Sequence, residues 1–483
     1  MNSARREVTV IGAGASGFMA AIMAARGGAK VRVLEGMTKP GRKLLLTGNG
    51  RCNLTNLDPA LAKAYHGTCP AQEEQKTERM SDISETEPAG AVRYVSGFAD
   101  TVLKQFGRED TIAFFEEIGL YTNHRDGYVY PRSGQASTVL NALLAEAARL
   151  KVQIRLDTKV KRLSRNADTG RWSAEVEGWT YESDAVIVCA GSKAVPSTGS
   201  DGSGYELVGK LGHRLQPVFP ALTAMSSPDP DLKLCAGART RAAVELRIVP
   251  GKSGEKWNIL GREEGELQWN SSEISGIPVF QLSRYVHTAL HTPVHAAVHT
   301  SIHTTSAGAN GKIVLAVDFL PEYSEEQVRE FVRRQLTRCS EGTELSAIVS
   351  GFVHEKVAEL LVKKSGLPQR LKKGTARKKG AALVQEESTN TAASDAQAEQ
   401  IAAALASQLK CLQLDISGTR GFDQAQVCAG GVALDEVDPH TMQSRLHKDL
   451  YFAGEILDID GPCGGYNLQW AWSSGAVAGI SAR

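Results

Sequence analysis

Between Val8 and Glu35 the chain reads strand, glycine turn, helix, strand, acid, and no other stretch restricts the fold as much. Val8-Thr9-Val10-Ile11 is a short β-branched run suited to a buried parallel strand. Gly12-Ala13-Gly14-Ala15-Ser16-Gly17 follows at once and spells G-x-G-x-x-G. Phe18 to Arg26 is rich in Ala and Met and predicts a helix; Lys30 to Leu34 predicts a second strand, ended by Glu35. A glycine motif that follows a strand, opens a helix and precedes an acid by about 20 residues has the context of a dinucleotide-binding turn. Gly12 permits the tight turn, Gly14 lets backbone approach a pyrophosphate, and Gly17 lets helix and strand pack closely. Free N–H groups around Ala15 and Ser16 then face the phosphates. Glu35 can accept both hydroxyls of a ribose, which selects FAD or NAD over NADP. A signal peptide, with Arg5 and Arg6 ahead of an uncharged run, is the competing reading. That run holds three glycines, stops at Arg26 and is too short to span a membrane.

Length and composition narrow the class. The 483 residues allow two or three domains with a sizeable core. A formal net charge of +1 gives no global pull toward nucleic acid or an anionic membrane. No later stretch is long and apolar enough for a bilayer span. The eight cysteines are scattered without a C-x-x-C, which supports neither a zinc ribbon nor a redox pair and fits a reducing cytosol.

Past the acid, Pro40 to Asn56 crowds Arg42, Lys43 and Arg51 together with Gly48, Asn49, Gly50 and Cys52. Glycines on both sides of Asn49 bring backbone close to a ligand, and the run starts beside the ribose acid, so phosphate or flavin contact is expected. His66 to Val92 is polar and acidic and predicts an exposed loop. Helices are expected over Arg93–Gln105, Glu109–Ile118 and Gln135–Leu150. A strand or turn is expected over Gly127–Pro131, and strands over Val152–Leu156, Lys159–Ser164, Trp172–Val176 and Ala185–Cys189, the last ending in Ala190-Gly191 at a strand's carboxyl end. Ser200 to Gly204 is a second glycine turn before a helix, but no ribose acid follows it.

Pro217 to about Leu320 predicts strands. Inside it, Val286 to Thr305 repeats apolar-His-x-x and places His287, His291, His295, His299 and His303 four apart. Pro293, the many Thr and Val residues and the lack of a carboxylate favour a low-complexity insertion over a metal site or a continuous helix. Helices return over Ser324–Leu336 and Leu345–Leu361. The basic run from Lys363 to Lys379 follows, without an aromatic residue for base stacking, and predicts a solvated face. Near the end, Leu450 to Glu455 reads as a strand closing in Gly454-Glu455. Cys463-Gly464-Gly465-Tyr466-Asn467-Leu468 then opens a helix whose N-terminus can stabilise negative charge.

Three phrases carry a family likeness: residues 41–53, Ser275-Gly276-Ile277-Pro278-Val279, and residues 464–475. They resemble the FAD-binding family that includes 3-dehydro-bile-acid Δ4,6-reductases and aminoacetone-oxidase-like proteins, over nearly the whole chain. The resemblance implies an α/β fold: a Rossmann-like FAD-binding domain of two-dinucleotide-fold type, interrupted by an inserted β-barrel-like domain and a small helical domain. Residues 1–216 and 411–483 would form the FAD-binding domain, 217–322 the β-rich insertion and 323–410 the helical part. By the same likeness, Gly12, Gly14, Ala15, Ser16 and Gly17 hold the pyrophosphate and Glu35 the adenosine ribose. Arg42, Lys43 and Gly48 to Cys52 lie along phosphate and flavin, Val160 offers backbone to adenine, and Ala190 and Gly191 approach the cofactor. Gly454 and Glu455 meet the ribitol side, and Gly465, Tyr466, Asn467 and Leu468 the isoalloxazine. His66–Val92 and Val286–Thr305 depart from the pattern as insertions. Asn270-Ser271-Ser272-Glu273 stands where many members have Thr-His-x-Gly.

The activity this implies is reduction of an activated C=C bond of an enone, such as a 3-oxo bile acid, by hydride from reduced FAD. NAD(P)H is the expected transient electron donor. Tyr466, Tyr128 and Tyr130 are the candidate proton sources, chosen as hydroxyls beside glycine-rich cofactor stretches. Two other readings stand: an amine oxidase acting on a small amine such as aminoacetone, and an RNA-binding flavoprotein using Lys363 to Lys379. The expected partner is a small apolar molecule or amine, with no metal and no membrane.

Overall fold

The computed structural model describes residues 5–68, 90–249, 257–291, 312–371 and 395–483. Among these, the chain up to Leu222 and from Gly421 onward forms one compact unit, and Thr223 to Arg420 forms another.

The first unit is built on five parallel strands: β1 (Glu7–Ile11), β2 (Lys30–Leu34), β3 (Gln153–Arg155), β4 (Ala185–Val188) and β5 (Leu450–Phe452). Their spatial order is β5-β4-β1-β2-β3, every neighbour parallel. Val8, Val10, Val31, Val33, Val186, Ile187 and Val188 are all buried, as strands covered on both faces require. The chain runs outward from β1 through β2 to β3, then restarts on the other side of β1 with β4 and β5. That reversal leaves a crevice at the carboxyl ends of β1 and β4, where open α/β sheets bind their ligands.

Helices α1 (Ala15–Arg26), α2 (Arg42–Leu46), α3 (Ala136–Arg149) and α4 (Tyr466–Ala482) belong to the same unit. The first and last lie backbone to backbone. A Cβ on Gly475 would stand 2.6 Å from the Ser16 carbonyl oxygen, and one on Gly479 would stand 2.3 Å from that of Ala20. A small antiparallel sheet places Tyr128–Pro131 between Thr55–Asn56 and Thr122–Arg125. Leu215–Ala221 and Val427–Val432 pair antiparallel where the chain leaves and re-enters the unit.

The second unit carries a seven-stranded antiparallel sheet. Its order is Leu412–Asp415, Lys312–Asp318, Arg239–Val249, Asn258–Trp269, Glu273–Ser275, Met225–Ser226, Gly418–Thr419. The two edge strands are separated in the chain only by Ile416 and Ser417. A link that short reaches about 10 Å, so the sheet curls until its edges are neighbours. Helices Glu325–Leu336, Leu345–Val349, Glu355–Lys364 and Asp395–Lys410 complete the unit. The crossings between units fall at Leu222/Thr223 and Arg420/Gly421, a few residues beyond the expected breaks at 216 and 410.

The helix Ile277–His291 overturns the expectation of strands there and takes in His287 and His291, ending two residues before Pro293. Val279, Leu282, Ser283 and Val286 are buried at spacings of three and four, a helical stripe that the surrounding valines and threonines obscure. Glycines on the underlying strand make room: a Cβ on Gly261 would lie 2.7 Å from Leu282 Cδ2, and one on Gly265 would lie 3.0 Å from Pro278 Cγ. His287 Nε2 lies 2.6 Å from Thr419 Oγ1 within this unit. His295, His299 and His303 lie outside the described residues, as does most of the acidic stretch between His66 and Val92.

Candidate active site

The glycine turn after β1 has the shape its sequence predicts. Gly12 adopts φ +99°, and a Cβ there would meet the Cys189 carbonyl oxygen at 2.5 Å, so β1 and β4 approach as only glycine allows. A Cβ on Gly17 would stand 1.9 Å from the Gly12 carbonyl oxygen, which makes this glycine obligatory for seating α1 on the turn. Gly14 differs: a Cβ there would meet nothing within 4 Å. The folded chain gives no reason for a glycine at that position, whereas a ligand lying against the backbone does. The first N–H returned to the helix is that of Phe18, to Gly14 O at 3.0 Å, so those of the preceding turn point outward toward an anion.

Glu35 sits at the end of β2 with each carboxylate oxygen accepting a backbone N–H, from Ala13 at 2.7 Å and from Met37 at 2.9 Å. Each oxygen keeps a lone pair for a ribose hydroxyl. Its carbonyl accepts the Thr158 N–H at 2.7 Å, two residues before the buried Val160.

The basic, glycine-rich stretch joins this turn directly through Gly41 N–H to Ala13 O at 2.9 Å. Arg42 and Lys43 open α2. Lys43 forms an ion pair with Glu455, both side chains about four-fifths buried (22% and 21% exposed). Ser192, just past Ala190 and Gly191, donates to the same Glu455 oxygen at 3.0 Å. Gly454 packs on Ser16, where a Cβ would lie 2.5 Å from Ser16 Oγ. The turns after β1, β4 and β5 therefore converge with α2 on one crevice.

Gly48, Asn49, Gly50 and Cys52 all hold left-handed backbone, at φ of +58°, +55°, +81° and +60°. For Asn49 and Cys52 such a conformation stores strain, which folded chains retain chiefly at functional sites. Gly48 to Arg51 are exposed, but Cys52 is fully buried. Burial pushes its thiol up to about 12 against a weaker opposing bond with Thr47, so it stays protonated and packs rather than reacts.

A second convergence forms at the N-terminus of α4. Gly464 and Gly465 hold φ of +114° and +96°; side chains there would strike the Tyr128 ring at 2.3 Å and the Thr55 carbonyl oxygen at 2.6 Å. Asn56 donates to Gly464 O at 2.9 Å. Asn467 turns back to bind both backbone groups of Gly461, at 2.8 and 2.7 Å, so its side chain braces the loop, while Leu468 packs against the core.

The three candidate tyrosines separate here. Tyr466 is buried and donates its hydroxyl to Asp58 Oδ2 at 2.8 Å. Burial first and Asp58 second raise it far above the ordinary phenol value, which makes it a poor acid. Tyr128 and Tyr130 lie two residues apart on one face of their strand. Tyr128 is set against Gly464, and Tyr130 Cε1 lies 3.8 Å from the Cβ position of Gly48. Burial, followed by Tyr130 and Cys463, also raises Tyr128, but no hydrogen bond ties its hydroxyl to another of the described residues.

Sequence reasoning passed over Ser192, Asn53 and Asp58. Asn53 could have been found by extending the glycine phrase one residue. Asp58 carries no motif at all. The second glycine turn is held by its own neighbours: Asp201 pairs with Lys159 at 2.6 Å and accepts the Ser203 N–H at 3.0 Å.

Comparison with known proteins agrees with this geometry. The family model described as HI0933-like protein Rossmann domain matches residues 6–481. The chain is 38% identical, over 98% of both sequences, to the 3-dehydro-bile acid delta(4,6)-reductase of Clostridium scindens. It is 24% identical to the ribosomal RNA dihydrouridine synthase of Escherichia coli, over 97% of this chain and 96% of that one. Among solved structures, 3-ketosteroid-delta4-(5alpha)-dehydrogenase from Rhodococcus jostii aligns over 100% of this chain and 98% of its own, at 16% identity and a TM-score of 0.41. The chain belongs to the HI0933-like Rossmann-domain family, and as a member of it is an FAD-dependent oxidoreductase.

Proposed function

We propose that the protein adds hydrogen across a C=C bond conjugated to a carbonyl, in a flat apolar substrate of the 3-oxo bile-acid kind. The observation that carries this reading is the 38% identity to a 3-dehydro-bile acid delta(4,6)-reductase across 98% of both chains. The more distant relative fits the same chemistry, since forming dihydrouridine saturates a uridine C=C bond that also adjoins a carbonyl. Bound FAD supplies the hydride, and the chain binds, orients and excludes water. Glu35 and the Gly12–Gly17 turn hold the adenosine and pyrophosphate, and Lys43, Ser192 and Glu455 line the ribitol side. Tyr128, whose hydroxyl is not committed to a protein carboxylate, holds the proton for the carbon next to the carbonyl, with Tyr130 beside it. NADH or NADPH is the electron donor in this reading and visits transiently, because FAD takes the one complete dinucleotide turn.

A second reading, reduction of a base in RNA, is favoured by the dihydrouridine synthase relatives. Against it, the described part of the basic run is already neutralised. Lys363 pairs with Asp231, Lys364 with Asp229 and Arg370 with Glu344.

Reducing the bound flavin without oxygen and adding a 3-oxo-Δ4 bile acid should reoxidise it rapidly. Reoxidation by a uridine-containing ribosomal RNA fragment alone would establish the second reading. Reduction of the oxidised flavin by aminoacetone, with neither acceptor active, would make the protein an amine oxidase.

A further inference from the structure

Asn53 is 7% exposed, and its Oδ1 has no hydrogen-bond partner among the described residues. Buried polar atoms are almost always paired, so an orphan in a cofactor crevice asks for a partner from outside the chain. The position where a Cβ on Gly465 would stand is only 2.9 Å from that oxygen. Gly465 caps α4, a helix of 17 residues, and the first N–H it returns is that of Gln469, to Gly465 O at 2.9 Å. The N–H groups of Tyr466, Asn467 and Leu468 are therefore open at the same spot. An acceptor and a set of donors face one small volume without satisfying each other.

Asn53 is also clamped. The left-handed Cys52 precedes it, and the next residue, Leu54, donates its N–H to Val129 O at 2.8 Å. Its direction is thus set by backbone on both sides, as a recognition group requires.

The ligand chemistry follows from the donor and acceptor pattern. The pyrimidine edge of an isoalloxazine presents carbonyl, N3–H, carbonyl. A carboxamide presents one acceptor beside one donor whichever way it is turned, and helix N–H groups add further donors. The adenine end of FAD offers no competing claim in this reading, because the ribose acid Glu35 stands at the end of β2.

We infer that Asn53 is the flavin-recognition residue of this chain, its carboxamide pairing with N3–H and an adjacent carbonyl of the isoalloxazine while the first turn of α4 receives the other carbonyl. The inference rests on FAD as the cofactor and assigns Asn53 a positioning role: it fixes which edge of the ring points inward and hence which atoms the substrate meets.

The test compares FAD with 3-methyl-FAD, which lacks the N3–H, by fluorescence titration of the deflavinated full chain. The wild-type protein should bind 3-methyl-FAD about tenfold or more weaker, the loss expected of one buried hydrogen bond. Asn53→Leu should bind both flavins with the same weakened affinity. Retention of full discrimination by Asn53→Leu, or its absence from the wild type, overturns the inference. Should the leucine variant fail to fold, Asn53→Asp keeps size and shape. Its carboxylate beside the ring should lower the flavin midpoint potential, and an unchanged potential overturns the inference equally. A wild-type chain that takes up neither flavin would remove the FAD reading itself, whereas uptake of both with equal affinity removes only the role of Asn53.

Discussion

Glu35 holds two backbone N–H groups, and in the proposed reading it also accepts the ribose hydroxyls, so its removal should act twice. Glu35→Ala should weaken FAD by about 1.5–3 kcal/mol for each charged hydrogen bond lost, with far-ultraviolet circular dichroism unchanged. Glu35→Gln, which keeps one carbonyl acceptor, should fall between. An unaltered dissociation constant for both variants would reduce Glu35 to a strand terminator. The tyrosines give a sharper contrast. Tyr128→Phe should slow reoxidation of the reduced flavin by an enone by about 10²–10⁴-fold, the usual worth of a general acid. Tyr466→Phe should leave that rate within about twofold, because its hydroxyl is already engaged by Asp58 and holds its proton tightly. Equal losses in stopped-flow traces of the two variants would refute the assignment. At this scale the sequence was most legible where chemistry dictates residue type, at Gly12, Gly17 and Glu35. It was silent on Asp58, which meets Tyr466 across 408 positions, because a lone aspartate in a loop carries no spacing that announces its partner.

Between single residues and whole units, buried polar contacts join segments that no periodicity connects. His213 Nδ1 lies 2.9 Å from Glu436 Oε2, and its Nε2 lies 3.0 Å from Ser444 Oγ, with the ring fully buried. A neutral imidazole satisfies both contacts, donating to the carboxylate and accepting from the hydroxyl. Burial lowers its pKa below the ordinary 6.5 and outweighs the opposite pull of Glu436. The sign follows from linkage: the unfolded chain binds this proton more readily than the folded one. The contribution is therefore complete above pH 6.5 and is lost as pH falls through the folded value. The melting-temperature gap between wild type and His213→Gln should accordingly narrow from pH 8 to pH 5. A constant or widening gap would show that the ring is already charged. Ala136–Arg149, with a clean stripe, and Tyr466–Ala482, buried all round but announced by the glycines that open it, were legible within a residue or two. Ile277–His291 was not, because its valines, threonines and proline imitate a strand while the deciding fact, the two glycines beneath it, lies on another segment.

For the molecule as a whole, only one dinucleotide turn is complete, so the electron donor and the substrate should use the flavin in succession. Steady-state double-reciprocal plots with NAD(P)H and an enone should be parallel, with each ligand inhibiting competitively against the other at high concentration. Intersecting lines would demand a separate nicotinamide site. The Rossmann core was legible from its first β-α-β unit, and the return of the chain to it from Gly454-Glu455. The curl of the second sheet entered only as the β-barrel-like domain that the family resemblance implied, since strand order depends on pairings that no local pattern records. The contact between α1 and α4 has a temporal side. A ribosome makes Ser16 and Ala20 well before Gly475 and Gly479, on the order of half a minute apart at about 5–20 residues per second. Through that interval the first helix lacks only α4 among its helical neighbours, since β1, β2 and Ala136–Arg149 are already made, and β4 has no outer neighbour in β5, while the run from Thr223 to Arg420 is synthesised before α4 and free to fold. The nucleotide turn is thus translated well before the helix whose backbone closes against its own, and the unit is complete only when that helix arrives.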